Sequence, residues 1–272
     1  MRFGRKLRTL ALIGLLMLAG QLSQTINYYE ALASLSVART LRINGFPSAA
    51  IQFYSFAMYC APQASKIVQA RGVAYYQKRD YARAITDLTA SLTLDPNDAA
   101  SLLFRGAAYA HQKHYDEAVI DYSEAIRLAP DDPDGLIGRA SVHLQRKNYD
   151  RAVADYSELI RLEPKSAGHY LSRANALSIA DKPREALSDF DQAIALTQND
   201  IEAGFLLLRK SYVREAMGDI AGAFSDIDQG EQRACAGLPA TARCFKRFAR
   251  AREHLKLSSA LPAKPQGVSA AN

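Results

Sequence analysis

The chain has no tryptophan and only 3 cysteines, 15 glycines and 10 prolines in 272 residues. None of the cysteines has zinc-ligand spacing, and Cys60, near a helix end, reads as a packing residue. The lack of tryptophan and of glycine runs leaves little room for a separate sheet domain. No G-x-S-x-G, phosphate-cradling glycine loop or H-E-x-x-H occurs, and no carboxylate pair stands out from the other acids. His111 and His114 lack a third metal ligand, His143 reads as a packing residue, and His169 and His254 have no acid or nucleophile at useful spacing. The sequence gives no ground for an enzyme, a metal or a cofactor.

Acidic residues are missing from the first 29 positions, where Arg2, Arg5, Lys6 and Arg8 precede the apolar run Thr9–Gly20. This is the form of a secretory signal peptide. The alternative is an uncleaved anchor continuing to Tyr28 and Tyr29, whose rings suit a membrane interface. Both place the rest of the chain outside the cytoplasm, in the periplasm or anchored in the inner membrane facing it if the source is bacterial. A mitochondrial presequence shares the Arg-rich, acid-poor character. The formal charge of +6 is carried by this segment and by residues 239–272, which hold seven basic residues against Glu253. The body between them is net acidic, which argues against a nucleic-acid groove.

What the chain has in abundance is a period. Steps of 34 residues join Ala50, Ala84, Ala118, Ala152 and Ala186, and after a three-residue insertion Ala223 takes the same place. In this register the eighth position is small (Ala38, Gly72, Gly106, Ala140, Ala174, Ser211), and the twenty-fourth is large (Tyr54, Leu88, Tyr122, Tyr156, Phe190, Ile227). Pro62, Pro96, Pro130 and Pro164 close the first four copies. Each copy is expected to be a helix, a short turn and a second helix stopped before its proline.

The seventh position reads Arg71, Arg105, Arg139, Arg173 and Lys210, and the twenty-third reads Asp87, Asp121, Asp155, Asp189 and Asp226. In the first copy both are lost together, to Val37 and Phe53. Charges that vanish as a pair most simply contact each other, so five ion pairs are expected to clip the first helix of a copy to its second. An anion-binding ladder of arginines is the alternative.

The period and these residues resemble the tetratricopeptide repeat family. The resemblance covers residues 31–237 as six copies, 31–64, 65–98, 99–132, 133–166, 167–200 and 204–237, within a solenoid domain spanning 28–237. It implies an all-α, right-handed α-solenoid of stacked helix-turn-helix repeats, preceded by the 1–27 signal or anchor and followed, over 238–272, by a basic capping helix and a disordered tail. The departures are Leu102, Leu136 and Tyr170 at the fourth position in place of tryptophan, Arg214 at a core position, and a last copy without proline. The family binds partners on its concave face through first-helix positions. Here these carry Gln69, Val73, Tyr76, Leu103, Ala107, Ile137, Ser141, Leu171, Asn175, Leu208 and Tyr212, a mostly apolar surface suited to a peptide or protein partner. The Lys and Asn clamp by which some members hold a terminal carboxylate is missing.

Near the end, Cys235 and Cys244 flank a turn before a final helix expected over 241–257, close enough in sequence to bridge; two half-buried thiols are the other reading. The final helix has Phe245, Phe248 and Leu255 near one face and arginines around the others. It would cap the last repeat, and its basic face also suits anionic lipid or an acidic partner. The reading that follows is a non-catalytic, exported, envelope-associated protein-interaction scaffold. Its alternatives are a self-association module and a membrane-surface module working through the basic helix.

Overall fold

Paired amphipathic segments of 13 to 17 residues cannot bury their apolar stripes alone, and they do so against one another. A computed structural model of the protein describes residues 29–238 and 242–260. The expected signal or anchor segment and the tail after Leu261 lie outside these residues. Helix α1 covers 29–43, followed by α2 (Pro47–Cys60), α3 (Ser65–Gln77), α4 (Tyr81–Leu94), α5 (Ala99–His111), α6 (Tyr115–Leu128) and α7 (Pro133–Gln145). Then come α8 (Tyr149–Leu162), α9 (Ala167–Ile179), α10 (Pro183–Leu196), α11 (Asp200–Ala216), α12 (Ile220–Ala234) and α13 (Arg243–Ala260). No strand occurs among the described residues, and the fold is an all-α solenoid of stacked helix pairs closed by a C-terminal helix. None of the described helices is long and apolar enough to cross a membrane.

The chain falls into two compact units, one ending at Val142 and the other starting at His143. In the first, α2 packs on α3, α3 on α4, α4 on α5 and α5 on α6. Its seams are filled by Ala50, Tyr54, Ala84, Leu88, Ala118 and Tyr122, all buried. The small eighth position has a steric cause: a Cβ on Gly72 would stand 2.9 Å from Leu88 Cγ, and one on Gly106 would stand 3.3 Å from Asp121 Cβ. In the second unit α9 packs on α10, α10 on α11 and α11 on α12, around Ala174, Ala186, Phe190, Ala223 and Ile227.

The two helices of each pair are joined by one turn used six times. Its residue with φ near +60° to +80° is Gly45, Arg79, Lys113, Lys147, Asp181 or Gly218. The next amide then donates back into the first helix: Phe46 to Leu41 O, Asp80 to Tyr75 O, His114 to Tyr109 O, Asn148 to His143 O, Lys182 to Leu177 O and Asp219 to Arg214 O, all at 2.8–2.9 Å. This six-to-one bond after a left-handed residue is the Schellman stop, which satisfies a carbonyl the helix end would leave unpaired.

The last helix begins at Arg243 and runs to Ala260, a little later at both ends than expected. Phe248, Ala251 and Leu255 bury against Leu208, Ala223, Ile227 and Ala234. A disulfide joins Cys235 at the end of α12 to Cys244 in the first turn of α13. Cys60, at the end of α2, is a free and partly buried thiol.

Candidate interaction surfaces

The arginines and aspartates repeated at the seventh and twenty-third positions are engaged with the protein itself. Arg71 forks onto Asp87 at 2.7 and 2.9 Å, Arg105 onto Asp121 at 2.8 and 2.7 Å, and Arg173 onto Asp189 at 2.7 Å through both nitrogens. These bidentate bonds raise the affinity of each guanidinium for its proton, against the opposing effect of burial. A third bond runs to the preceding pair: Arg71 donates to Ser55 Oγ, Arg105 to Thr89 Oγ1, Arg139 to Ser123 Oγ and Arg173 to Ser157 Oγ, at 3.0–3.2 Å. Each arginine so bonded therefore ties its own repeat to the one before it. The hydroxyl column Ser55, Thr89, Ser123 and Ser157 was open to the same 34-residue alignment, but hydroxyls are common enough on helices that the pattern attracts no attention without the bonds.

The last copy departs from this ladder. Lys210 lies 3.8 Å from Asp226 and gives its closer contact, 2.6 Å, to Asp191, which stands where earlier copies have the hydroxyl. An ammonium has no fork with which to hold two partners in fixed directions. Arg214 takes over, with Nε 3.2 Å from Asp226 Oδ2, although the angle makes no hydrogen bond. The arginine that breaks the core pattern in sequence therefore faces the buried carboxylate. Burial still pushes the Asp226 carboxyl up, and Lys210 and Arg214 only partly offset it.

The first-helix residues expected to line a groove divide by burial. In the first unit Ile137 is 42% exposed, Ser141 is exposed, and Leu103 and Ala107 are half-buried against Ala118, Tyr122 and Val142. Tyr76 belongs to an aromatic group with Tyr81, Phe104 and His111, its hydroxyl 3.3 Å from His111 Nε2. Burial raises the Tyr76 phenol, which keeps it neutral. His111, exposed, stacks on Tyr81 with ring centroids 4.6 Å apart. Two residues depart from the expectation. Val73 is buried in its helix pair, and Gln69 is turned to the carboxylate of Asp98, which also accepts from Lys66 and Ser101.

In the second unit Leu171 is half-buried beside Ala174 and Phe190, and Asn175 accepts from Arg209 at 2.8 Å. Leu208 is 1% exposed and is no groove residue, because α13 and α12 close over it. Tyr212, one turn further along α11, is 47% exposed.

Among the clefts of the described residues, each unit has one beside its terminal helix. In the first, a cleft of about 490 Å³ lies between α1 and α2 over Val37, Phe53 and Phe56, at the copy that lacks the ion pair. In the second, a cleft of about 840 Å³ runs between Tyr212 on α11 and the exposed face of α13, lined by Arg243, Lys246, Arg247, Arg250 and His254. Among the described residues no group of three or more His, Cys, Asp or Glu side chains could hold a metal.

Residues 70–133 and 137–201 match the sequence model of the tetratricopeptide repeat. No curated protein matches the chain. Among solved structures, a MamA fragment from Desulfovibrio magneticus RS-1 is 17% identical with a TM-score of 0.58, covering 61% of this chain and 94% of that one. A tetratricopeptide repeat protein from Parabacteroides merdae is 19% identical with a TM-score of 0.54, covering 84% of each chain. YrrB, described as a TPR protein with an unusual peptide-binding site, is 17% identical with a TM-score of 0.54, covering 64% of this chain and 89% of its own. At these identities the likeness is one of fold.

Proposed function

We propose that this chain, which carries tetratricopeptide repeats over residues 70–133 and 137–201, is a non-catalytic protein-interaction scaffold that is exported and held at the cell envelope. Export rests on the basic cluster and apolar run at its start. Within the scaffold, the partner-binding surface is the face of the first helices. The observation that carries this reading is a division of labour along those helices. The arginines are consumed by internal pairs, while Ile137, Leu103 and the aromatic group at Tyr76 keep apolar surface available beside them. An apolar strip between rows of neutralised charge takes a peptide by burial, with backbone groups left to water or to the polar rim. The peptide-binding site named for YrrB, a protein of like fold, supports this reading.

Proximity crosslinking of the full chain in its own cell, with parallel fractionation, tests the reading. One envelope protein is expected to be captured by wild type and lost from a variant carrying Leu103→Glu and Ile137→Glu that retains the wild-type thermal midpoint. Capture unchanged by the variant would remove the first-helix face from consideration.

Self-association is the second reading, favoured by Phe53 and Phe56, which are 40% and 48% exposed at the first copy. Sedimentation equilibrium distinguishes it: a mass that stays monomeric across concentration eliminates it.

A further inference from the structure

The sequence concentrates positive charge in α13, and the structure sorts that charge onto two faces. On the face toward α12, Arg252 meets Asp228 at 2.8 Å and the carboxylate of Glu231. On the other face, Arg243, Lys246 and Arg250 are exposed, and among the described residues none of them meets a carboxylate. Arg247 lies over the Phe205 ring, 4.7 Å from its centroid, and His254 Nδ1 stands 3.3 Å from Glu215. These side chains and Tyr212 enclose the cleft of about 840 Å³. That size lies within the roughly 300–1,000 Å³ typical of ligand pockets.

We infer that this cleft between α11 and α13 binds an acidic peptide segment of a partner protein, with an apolar side chain of the peptide set against Tyr212. The proposal rests on the scaffold reading and names the chemistry of one partner site. Three physical features select the occupant. Four cations on one helix face, only one of them held by a ring, leave a positive potential that the protein does not neutralise itself. The floor between them is apolar, made by the Tyr212 ring, Ala251 and the aliphatic stems of the basic residues, so the occupant has carbon to bury as well as charge to place. The site is a trough between two helices. It admits a chain, whereas a bilayer surface would touch only its rims. Arg243 to His254 extends about 16 Å along the helix at 1.5 Å per residue, the length of roughly five residues of extended peptide at 3.3 Å each. Residues 1–29 and 261–272 carry no Asp or Glu side chain to place there. Arg247, fixed over Phe205, and Tyr212, rooted in α11, are already placed to receive the peptide, which reduces the ordering cost of binding.

The test uses the purified full-length chain and a fluorescein-labelled probe peptide, Glu-Asp-Phe-Asp-Glu, followed by anisotropy. A Gln-Asn-Phe-Asn-Gln peptide and vesicles of phosphatidylcholine with phosphatidylglycerol serve as comparison ligands. Binding of the acidic probe is expected to weaken steeply with salt. It should fall at least tenfold in the neutral peptide and in the Lys246→Glu plus Arg250→Glu variant, whose changes lie on exposed side chains, and severalfold in Tyr212→Ala. The Leu103→Glu plus Ile137→Glu variant is expected to bind the probe as wild type does. Probe affinity unchanged by the double charge reversal overturns the proposal. So does binding to the vesicles without binding to the peptide, or a concentration-dependent dimer that the reversal abolishes. If the probe fails while crosslinked capture still depends on Leu103 and Ile137, the cleft proposal falls and the scaffold reading stands.

Discussion

At the scale of the residue, the chain's stability depends on charges that it has removed from water. The Asp121 side chain is 3% exposed and that of Arg105 is 19% exposed. Two guanidinium N–H groups stand where that carboxylate would otherwise be hydrated. Arg105→Ala removes both and also the bond to Thr89, and is expected to cost roughly 3 kcal/mol of unfolding free energy, the lower end for a broken buried pair. Arg105→Asp with Asp121→Arg should recover part of what either single reversal loses, as measured by urea unfolding. A double variant no more stable than the singles would show that the two positions are not energetically coupled. The pairing was legible in sequence because both charges disappear together at Val37 and Phe53. The Lys210 exception was not, because it depends on the reach of an ammonium and on where Asp191 and Arg214 come to lie.

At the scale of the element, the turn between the helices of a pair carries a strain that differs from copy to copy. All six copies place one residue at positive φ, but only Gly45 and Gly218 are residues without a Cβ to oppose it. A left-handed conformation costs an L-residue with a Cβ roughly 1 kcal/mol. Lys113→Gly therefore removes strain at φ 64°, partly offset by the greater freedom of glycine in the unfolded chain. Gly218→Ala introduces strain at φ 80°, where nothing lies within 4 Å of the new methyl group to confuse the result. Thermal melts should show a gain of a few tenths of a kcal/mol for the first and a loss of about 1 kcal/mol for the second. A neutral Gly218→Ala would mean that the turn relaxes out of the left-handed region. Aligned by the period, no single residue type fills all six positions, which hides their common conformation from a reading based on composition.

At the scale of the whole molecule, an array of helix pairs has no central core, and its stability is a sum over neighbours that is weakest where a neighbour is missing. The C-terminal end answers this with α13. Phe248, fully buried, sits beside Phe205 with ring centroids 5.8 Å apart, and the disulfide fixes the helix that carries it. Cross-linking a loop of about ten residues reduces the entropy of the unfolded chain by an amount worth roughly 3 kcal/mol. Reduction, or Cys235→Ser with Cys244→Ser, should therefore lower the stability of the α11–α13 region by up to that amount and accelerate its amide exchange. Exchange in α3 to α6 is expected to remain as it was. Equal acceleration along the whole chain would mean that the array unfolds as a single cooperative unit.

The sequence by itself determined the helical period, the small and large columns that let paired helices approach, and the clipping of one helix to the next by opposite charges. Each of these depends on residues a fixed number of positions apart, and a repeated backbone returns them to the same place every time. Tertiary structure decided which first-helix residues reach the surface. Leu103 and Ile137 keep exposed area, Val73 and Leu208 do not, and Gln69 is turned to Asp98. It also decided that the basic residues of the last helix divide into a neutralised face and an open one. Exposure and charge compensation depend on what the neighbouring elements bring close, and those neighbours lie at no fixed interval along the chain.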